Sequence, residues 1–144
     1  IDVSTSSLLR HKKILLPIDV TVQGPDGIRT ITPKKVQKNE RIMDAGPETI
    51  QLLQPYIENA EMVLWNGPFG NYEHGFSKAT EDCARIIGSA DCYSVGGGGD
   101  TVTAIANLNI QTTFSFMSTA GGAMLSFLEN GSLPAIDALM KEYK

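Results

Sequence analysis

The sequence predicts an α/β fold: a three-layer α/β/α, Rossmann-like, doubly wound parallel sheet. Three observations predict it. Strand-type and helix-type segments alternate three times between Glu61 and Leu128, the pattern of linked βαβ units. Each strand-type segment ends in small residues, at Asn66-Gly67-Pro68, Gly96–Gly99 and Ser118–Gly122. Met62–Trp65 is continuously apolar, as in a parallel strand covered on both faces. Parallel strands point one way, so the three small-residue loops fall on one edge of the sheet. That edge is where open α/β sheets place ligands.

Composition bounds the function. The chain has 144 residues, 42% of them apolar, and a net charge of −4. That is enough for one domain with a real core, and the negative balance argues against a general nucleic-acid or membrane-surface binder. No apolar run approaches the roughly 18 residues that span a bilayer, and no signal-peptide pattern is visible. Cys83 and Cys92 are too few for a disulfide framework or a zinc site and read as reduced core residues of a cytosolic protein. Asn130-Gly131-Ser132 matches a glycosylation sequon, a three-residue match expected often by chance. The first residue is Ile1, not Met, as expected for a piece of a longer polypeptide, with part of any active site outside it.

The elements follow in order. Ile1–His11 is mixed, with Leu8 and Leu9 its strong apolar pair. A short strand is expected over Lys13–Val22, although Pro17 disfavours a central position. Gln23–Gly27 (QGPDG) is a turn by composition. Ile28–Ile42 carries Arg29, Lys34, Lys35, Lys38 and Arg41; a solvated hairpin or loop explains these charges better than an anion site. Arg41–Ala45 reads as a short strand. Gly46-Pro47-Glu48 opens a helix, with proline at its first position, and Pro55 is expected to bend or break it. After the Met62–Trp65 strand, Phe76–Ile87 is amphipathic, with Phe76, Ala79, Cys83 and Ile86 on one face and Gly88 suited to its end. A helix is expected over Val102–Leu108, a strand over Thr112–Met117 and a helix over Ala123–Leu128 stopped by Gly131. A last helix is expected over Pro134–Tyr143, with Lys141 and Lys144 favourable at its end.

The stretch Ser94–Thr101 (SVGGGGDT) is the centre of the functional argument. A strand running through glycines into a helix start gathers backbone N–H groups that lack partners within the helix, where the helix dipole adds positive charge. Glycines remove the Cβ atoms that would hold a phosphate away from the backbone. Asp100 then stands where it meets a metal ion riding on those phosphates. A tight turn with Asp100 as an ordinary helix cap is the competing reading. The dinucleotide fingerprint does not fit, because Thr101 stands where its third small residue belongs, and the chain has no Gly-Lys pair for a Walker A loop. Glu73 and His74 follow the first loop, and both also read as ordinary residues near a helix start.

Three motifs stand together in order: WNGPFGNYE at 65–73, GGGDT at 97–101 and STAGGA at 118–123. With LLPIDV at 15–20 and DAGPET at 44–49, the chain closely resembles phosphoglycerate kinase from about Leu15 to its last helix. The resemblance implies most of the C-terminal, nucleotide-binding domain of a cytoplasmic, two-domain, usually monomeric glycolytic kinase. It implies phosphoryl transfer between ATP and 3-phosphoglycerate, with Mg²⁺ accompanying ATP or ADP, and no nucleic-acid or membrane partner. The N-terminal domain that binds 3-phosphoglycerate, and the nucleotide-site lysine that precedes this segment in the family, are expected to lie outside the chain.

Residue by residue, the resemblance implies that Glu73 holds the ribose hydroxyls and that Asn66 and Pro68 flank the nucleotide sugar and phosphates. Gly98, Gly99 and Thr101 match the loop that receives phosphates, and Asp100 the carboxylate associated with Mg²⁺. Gly121 and Gly122 match the helix start that holds the transferring phosphoryl group. Ile42 and Met43 fall beside the adenine. Two positions depart from the family pattern. Gly96 stands where an apolar branched residue is usual, which implies a looser strand end. Ala120 takes the first of three glycine places, which costs stability only if its φ is positive. The competing functional classes are a dinucleotide-binding domain of an oxidoreductase, whose spacings are not met, and a non-catalytic α/β fragment.

Overall fold

The computed structural model describes residues 11–142. Two three-stranded sheets form. The first is antiparallel, with β1 (Val20–Gly24) between β2 (Gly27–Ile31) and β3 (Arg41–Ala45). The second is parallel, with β4 (Met62–Asn66), β5 (Tyr93–Gly97) and β6 (Phe116–Ser118) in that order. Helices α1 (Pro47–Glu58), α2 (Lys78–Ser89), α3 (Gly99–Asn107), α4 (Gly121–Asn130) and α5 (Pro134–Glu142) complete the chain. The parallel sheet flanked by helices is the expected Rossmann-like α/β arrangement, but β4 is not covered on both faces as expected: Val63 and Trp65 turn inward while Met62 and Leu64 are exposed. Among the described residues, no helix is long and apolar enough to cross a membrane.

The antiparallel sheet is where sequence and structure part most. The strand expected over Lys13–Val22 begins only at Val20, beyond Pro17, which has no N–H to give a ladder. Ile14, Leu15, Leu16 and Ile18 are exposed ahead of it. The expected turn closes a hairpin, pairing Gly24 with Gly27, and β3 covers the residues expected. Ile1–Arg10 and Tyr143–Lys144 lie outside the described residues, and with them the Leu8–Leu9 pair and the end of the last helix.

Helix α1 starts at Pro47 as expected but runs through Pro55 to Glu58 instead of breaking. Its cap, Gly46, has no side chain, and the first amides are satisfied from a distance. Asp19 Oδ2 accepts the Glu48 N–H at 3.0 Å and Oδ1 accepts the Thr49 N–H at 2.7 Å. The Asp19 carboxylate occupies the space that a Cβ on Gly46 would need, which is why the cap is glycine. At the far end, the Pro55 carbonyl accepts both the backbone and the side-chain N–H of Asn59.

The core lies between α1, α2, α3 and one face of the parallel sheet, around Ile50, Ile57, Trp65, Cys83, Ile87 and Ile105. On α2 the buried stripe is Ala79, Thr80, Cys83, Ala84 and Ile87, turned slightly from the expected face. Helix α2 contacts both α1 and α3 and so needs a wider covered arc. The Trp65 ring packs against Phe69 at 6.5 Å between centroids, and its buried Nε1 has no hydrogen-bond partner among the described residues.

Strand β6 is shorter than the expected Thr112–Met117. Residues Gln111–Thr113 form a single 3-10 turn, closed by the Thr113 hydroxyl donating to Ile110 O at 2.8 Å. Ser94 N–H donates to the Ser115 hydroxyl at 3.1 Å, and Ser115 N–H to the Ser94 hydroxyl at 3.2 Å. Side chains therefore take the place of the ladder, and strand pairing begins only at Phe116 with Val95.

Gly96 is filled from outside. A Cβ there would lie 2.9 Å from Met117 Sδ and 3.0 Å from Ile105 Cδ1, so neighbouring side chains occupy the volume a branched residue would take. Pairing continues past it to Gly97.

Candidate functional site

The three strand-end loops meet, and each junction is a specific bond. Gly98 caps α3 with φ of +90°, a conformation open to glycine and strained for other residues. Its N–H donates to Ser118 O at 3.0 Å, joining the ends of β5 and β6. Asn66 Nδ2 donates to Gly121 O at 3.0 Å, joining β4 to α4. Gly67 N–H donates to the Thr101 hydroxyl at 2.8 Å, joining the β4 loop to α3. Helices α3 and α4 start in backbone contact: a Cβ on Gly121 would stand 2.9 Å from Gly98 Cα.

The helix starts leave amides in hand. In α3 the Val102 N–H closes the first intrahelical bond, onto Gly98 O at 3.0 Å, so the amides of Gly99, Asp100 and Thr101 precede the ladder. In α4 the Met124 N–H bonds Ala120 O at 3.0 Å and the Gly121 N–H is used locally on Thr119 O, so Gly122 and Ala123 lead. Among the described residues nothing lies within 4 Å of a Cβ placed on Gly99 or Gly122; both are open. Asp100 is the second residue of α3, not its cap. Ala120 has φ of −89°, so its side chain imposes no backbone strain.

A cleft of about 720 Å³ runs beside α3 and is lined by Pro68, Gly70, Asn71, Tyr72, Glu73, Asp100 and Thr103. Pro68, Glu73 and Asp100 are thus brought together as the sequence proposed. Glu73 sits in a single 3-10 turn, Tyr72–His74, whose Tyr72 hydroxyl receives an N–H from Asn107 Nδ2 at 3.1 Å. His74 Nδ1 is 2.8 Å from Asn71 Oδ1 at the exposed side of this turn.

Other expected site residues stand apart from the cleft surface. Thr101 is fully buried, and its hydroxyl accepts the Gly67 N–H, so neither its side chain nor its amide reaches the cleft. Asn66 is turned into the loop junction. Gly98, Gly121 and Gly122 belong to the paired helix starts. Met43 is half-buried in β3 and meets the cleft through its carbonyl, which accepts the Asn71 N–H at 2.8 Å; Ile42 is exposed.

Two buried groups behind the cleft escaped the sequence reading. Asp44, at the end of β3, accepts Ala45 N–H at 2.9 Å and Ala79 N–H at 3.1 Å, and its carboxyl is pushed above the ordinary range, chiefly by burial. Thr80, fully buried in the first turn of α2, accepts Phe69 N–H at 3.0 Å. An acid closing a short strand was the available signal for Asp44. Thr80 gave none. Among the described residues the cleft lining holds two acids and no lysine or arginine, and no cluster of three or more His, Cys, Asp or Glu could hold a metal alone. Its electrostatics suit an anion that arrives with its own cation.

Residues 3–131 match the family model described as phosphoglycerate kinase. A curated protein of that name from Baumannia cicadellinicola is 41% identical over 140 residues, 95% of this chain and 36% of the relative. One from Xanthobacter autotrophicus is 39% identical over 138 residues, 90% of this chain and 35% of the relative. The solved phosphoglycerate kinase of Coxiella burnetii superposes with a TM-score of 0.75 at 39% identity, over 85% of this chain and 33% of that one. That of Pyrococcus horikoshii gives 0.78 at 27% identity, over 98% and 39%. The chain spans about a third of the length of the curated relatives it matches.

Proposed function

The chain belongs to the phosphoglycerate kinase family, and on that premise we propose that it is most of a nucleotide-binding domain, holding the Mg-nucleotide half-site for phosphoryl transfer. The overall reaction would be ATP + 3-phosphoglycerate ⇌ ADP + 1,3-bisphosphoglycerate. One observation carries the reading: Glu73 and Asp100, from two different strand-end loops, line one cleft beside the amide-bearing start of α3.

In this reading Glu73 accepts hydrogen bonds from the ribose hydroxyls, and Pro68 borders the sugar. The amides of Gly99 and Asp100 donate to phosphate oxygens, with Thr101 buried beneath them. Gly122 and Ala123, at the start of α4, face the transferring phosphoryl group. Phosphoryl transfer needs positioning and charge stabilisation, not a covalent protein intermediate, and fixed amides supply both with little reorganisation. Asp100 is the residue that would hold magnesium, since Mg²⁺ binds through one or two carboxylates plus phosphate oxygens and water. The ion would offset the negative charge that phosphates meet from the two cleft acids.

The 3-phosphoglycerate site and the basic groups facing the phosphoryl group are assigned to an N-terminal domain outside these 144 residues. Isolated, the chain should then show little or no kinase turnover, because positive charge must reach the transferring group from both sides. A cytoplasmic glycolytic role for a monomeric full-length enzyme, without nucleic-acid or membrane partners, goes with this assignment.

Calorimetric titration tests it. Mg·ADP should bind, NAD should not, and Asp100→Ala and Glu73→Ala should each abolish or strongly weaken the ADP signal. Binding of NAD alone, or ADP binding indifferent to both substitutions, would overturn the reading.

A further inference from the structure

The segment Pro68–Glu73 supplies most of the cleft wall, yet it belongs to no sheet and to no long helix. Something else must fix it, since a loop without ladder bonds otherwise samples many conformations. Three bonds or contacts from behind do so. The Asn71 N–H donates to Met43 O at 2.8 Å. The Phe69 N–H donates to the Thr80 hydroxyl at 3.0 Å. The Asp44 carboxylate presses on Gly70, where a Cβ would lie 2.5 Å from Oδ1.

Asp44 and Thr80 are themselves tied to one turn. Asp44 Oδ2 takes the N–H of Ala79, the residue before Thr80, at 3.1 Å. Both side chains are almost completely buried, at 4% and 0% exposure, and neither lines the cleft. On α2, Thr80 stands among Ala79, Cys83 and Ala84, all buried. An apolar residue would suit that company better, because a buried hydroxyl is unfavourable unless it is hydrogen-bonded. The bond it makes is to the loop.

We propose that Thr80 and Asp44 are positioning residues for the nucleotide half-site: they set where Pro68 and Glu73 stand without touching the ligand. The proposal rests on the function proposed above and adds the buried layer that gives the cleft its shape. Thr80→Val keeps the volume and strands the Phe69 N–H; Thr80→Ser keeps the hydroxyl.

The test compares the 144-residue chain with both variants by site-resolved amide hydrogen exchange and by Mg·ADP titration. Thr80→Val should speed exchange across residues 67–74 about fivefold more than in the core of α2, the factor set by one lost hydrogen bond. It should weaken Mg·ADP by a similar factor, and Thr80→Ser should restore both. Exchange in 67–74 unchanged, or raised only as much as in the α2 core, would overturn the proposal. So would unaltered Mg·ADP affinity in Thr80→Val, or failure of Thr80→Ser to rescue. If the parent chain binds no Mg·ADP, the half-site assignment fails, and the exchange pattern alone then supports or overturns the anchoring.

Discussion

Asn66 and Gly121, 55 positions apart in sequence, are joined by a hydrogen bond of 3.0 Å from the Asn66 amide to the Gly121 carbonyl. The bond ties the end of one strand to the start of a helix two βα units later. It draws α4 against Gly98 so closely that Gly121 has no room for a side chain.

Gly121→Ala and its neighbour Gly122→Ala should therefore differ in sign. A Cβ on Gly121 would meet the Gly98 backbone at 2.9 Å, and overpacking of this kind costs about 1–3 kcal/mol. Gly122 is helical and open, so alanine there should stabilise by about 0.4–1 kcal/mol through the unfolded chain. Denaturant unfolding of the two variants checks both.

The two thiols should separate by reactivity and by pH. Cys83 is buried and its thiol is pushed up to about 12 by burial, whereas Cys92 is partly exposed. A thiol reagent at pH 8 should label Cys92 first and Cys83 only as the protein opens. The native thiol keeps its proton after the unfolded one, near 9.0, has lost it. The unfolded state then binds fewer protons, and stability falls as pH rises from about 9 towards about 12. Cys83→Ala should flatten that part of the pH–stability curve relative to the parent.

Asp44 gives the corresponding effect in acid. Burial raises its native pKa above the ordinary 3.8, so the folded protein holds this proton longer than the unfolded chain does. The parent should lose stability relative to Asp44→Asn as pH rises through 3.8 and up to the raised native value. Above that value the gap should be constant. Melting temperatures of the pair across the acid range measure it; a parent that gains stability relative to Asp44→Asn as pH rises would contradict the burial argument.

The isolated chain should associate. Strand register puts Met62, Leu64, Tyr93 and Phe116 on one face of the parallel sheet, and all four are exposed. Leu125 and Leu128 of α4 and Leu139 and Met140 of α5 are exposed as well. Apolar surface on this scale marks an interaction or aggregation face. Sedimentation velocity should show a mass that grows with concentration; a single 15.5 kDa species throughout would contradict this.

Much of the parallel half was legible because its information is local. Apolar runs, small-residue loops and the Gly131 stop name β4, β5, α2 and α4 within a residue or two, and α3 within three. Of the candidate site, the loop residues that share a cleft were legible: Pro68, Glu73 and Asp100 line it together. What stayed hidden depends on contacts distant in sequence. Asp19 caps a helix 28 residues later than itself, so Pro47 and Gly46 alone could not show how α1 is anchored. The serine exchange that shortens β6 reads as strand in the sequence. Thr101 looks like a ligand group until its hydroxyl is found buried under Gly67.

Trp65 is the chain's only tryptophan, and its indole lies buried against Phe69, the residue whose amide Thr80 holds. The protein thus contains its own optical probe at the root of the cleft. Emission from that ring should redden if the loop lifts and water reaches it, so motion at the cleft can be followed without attaching a dye.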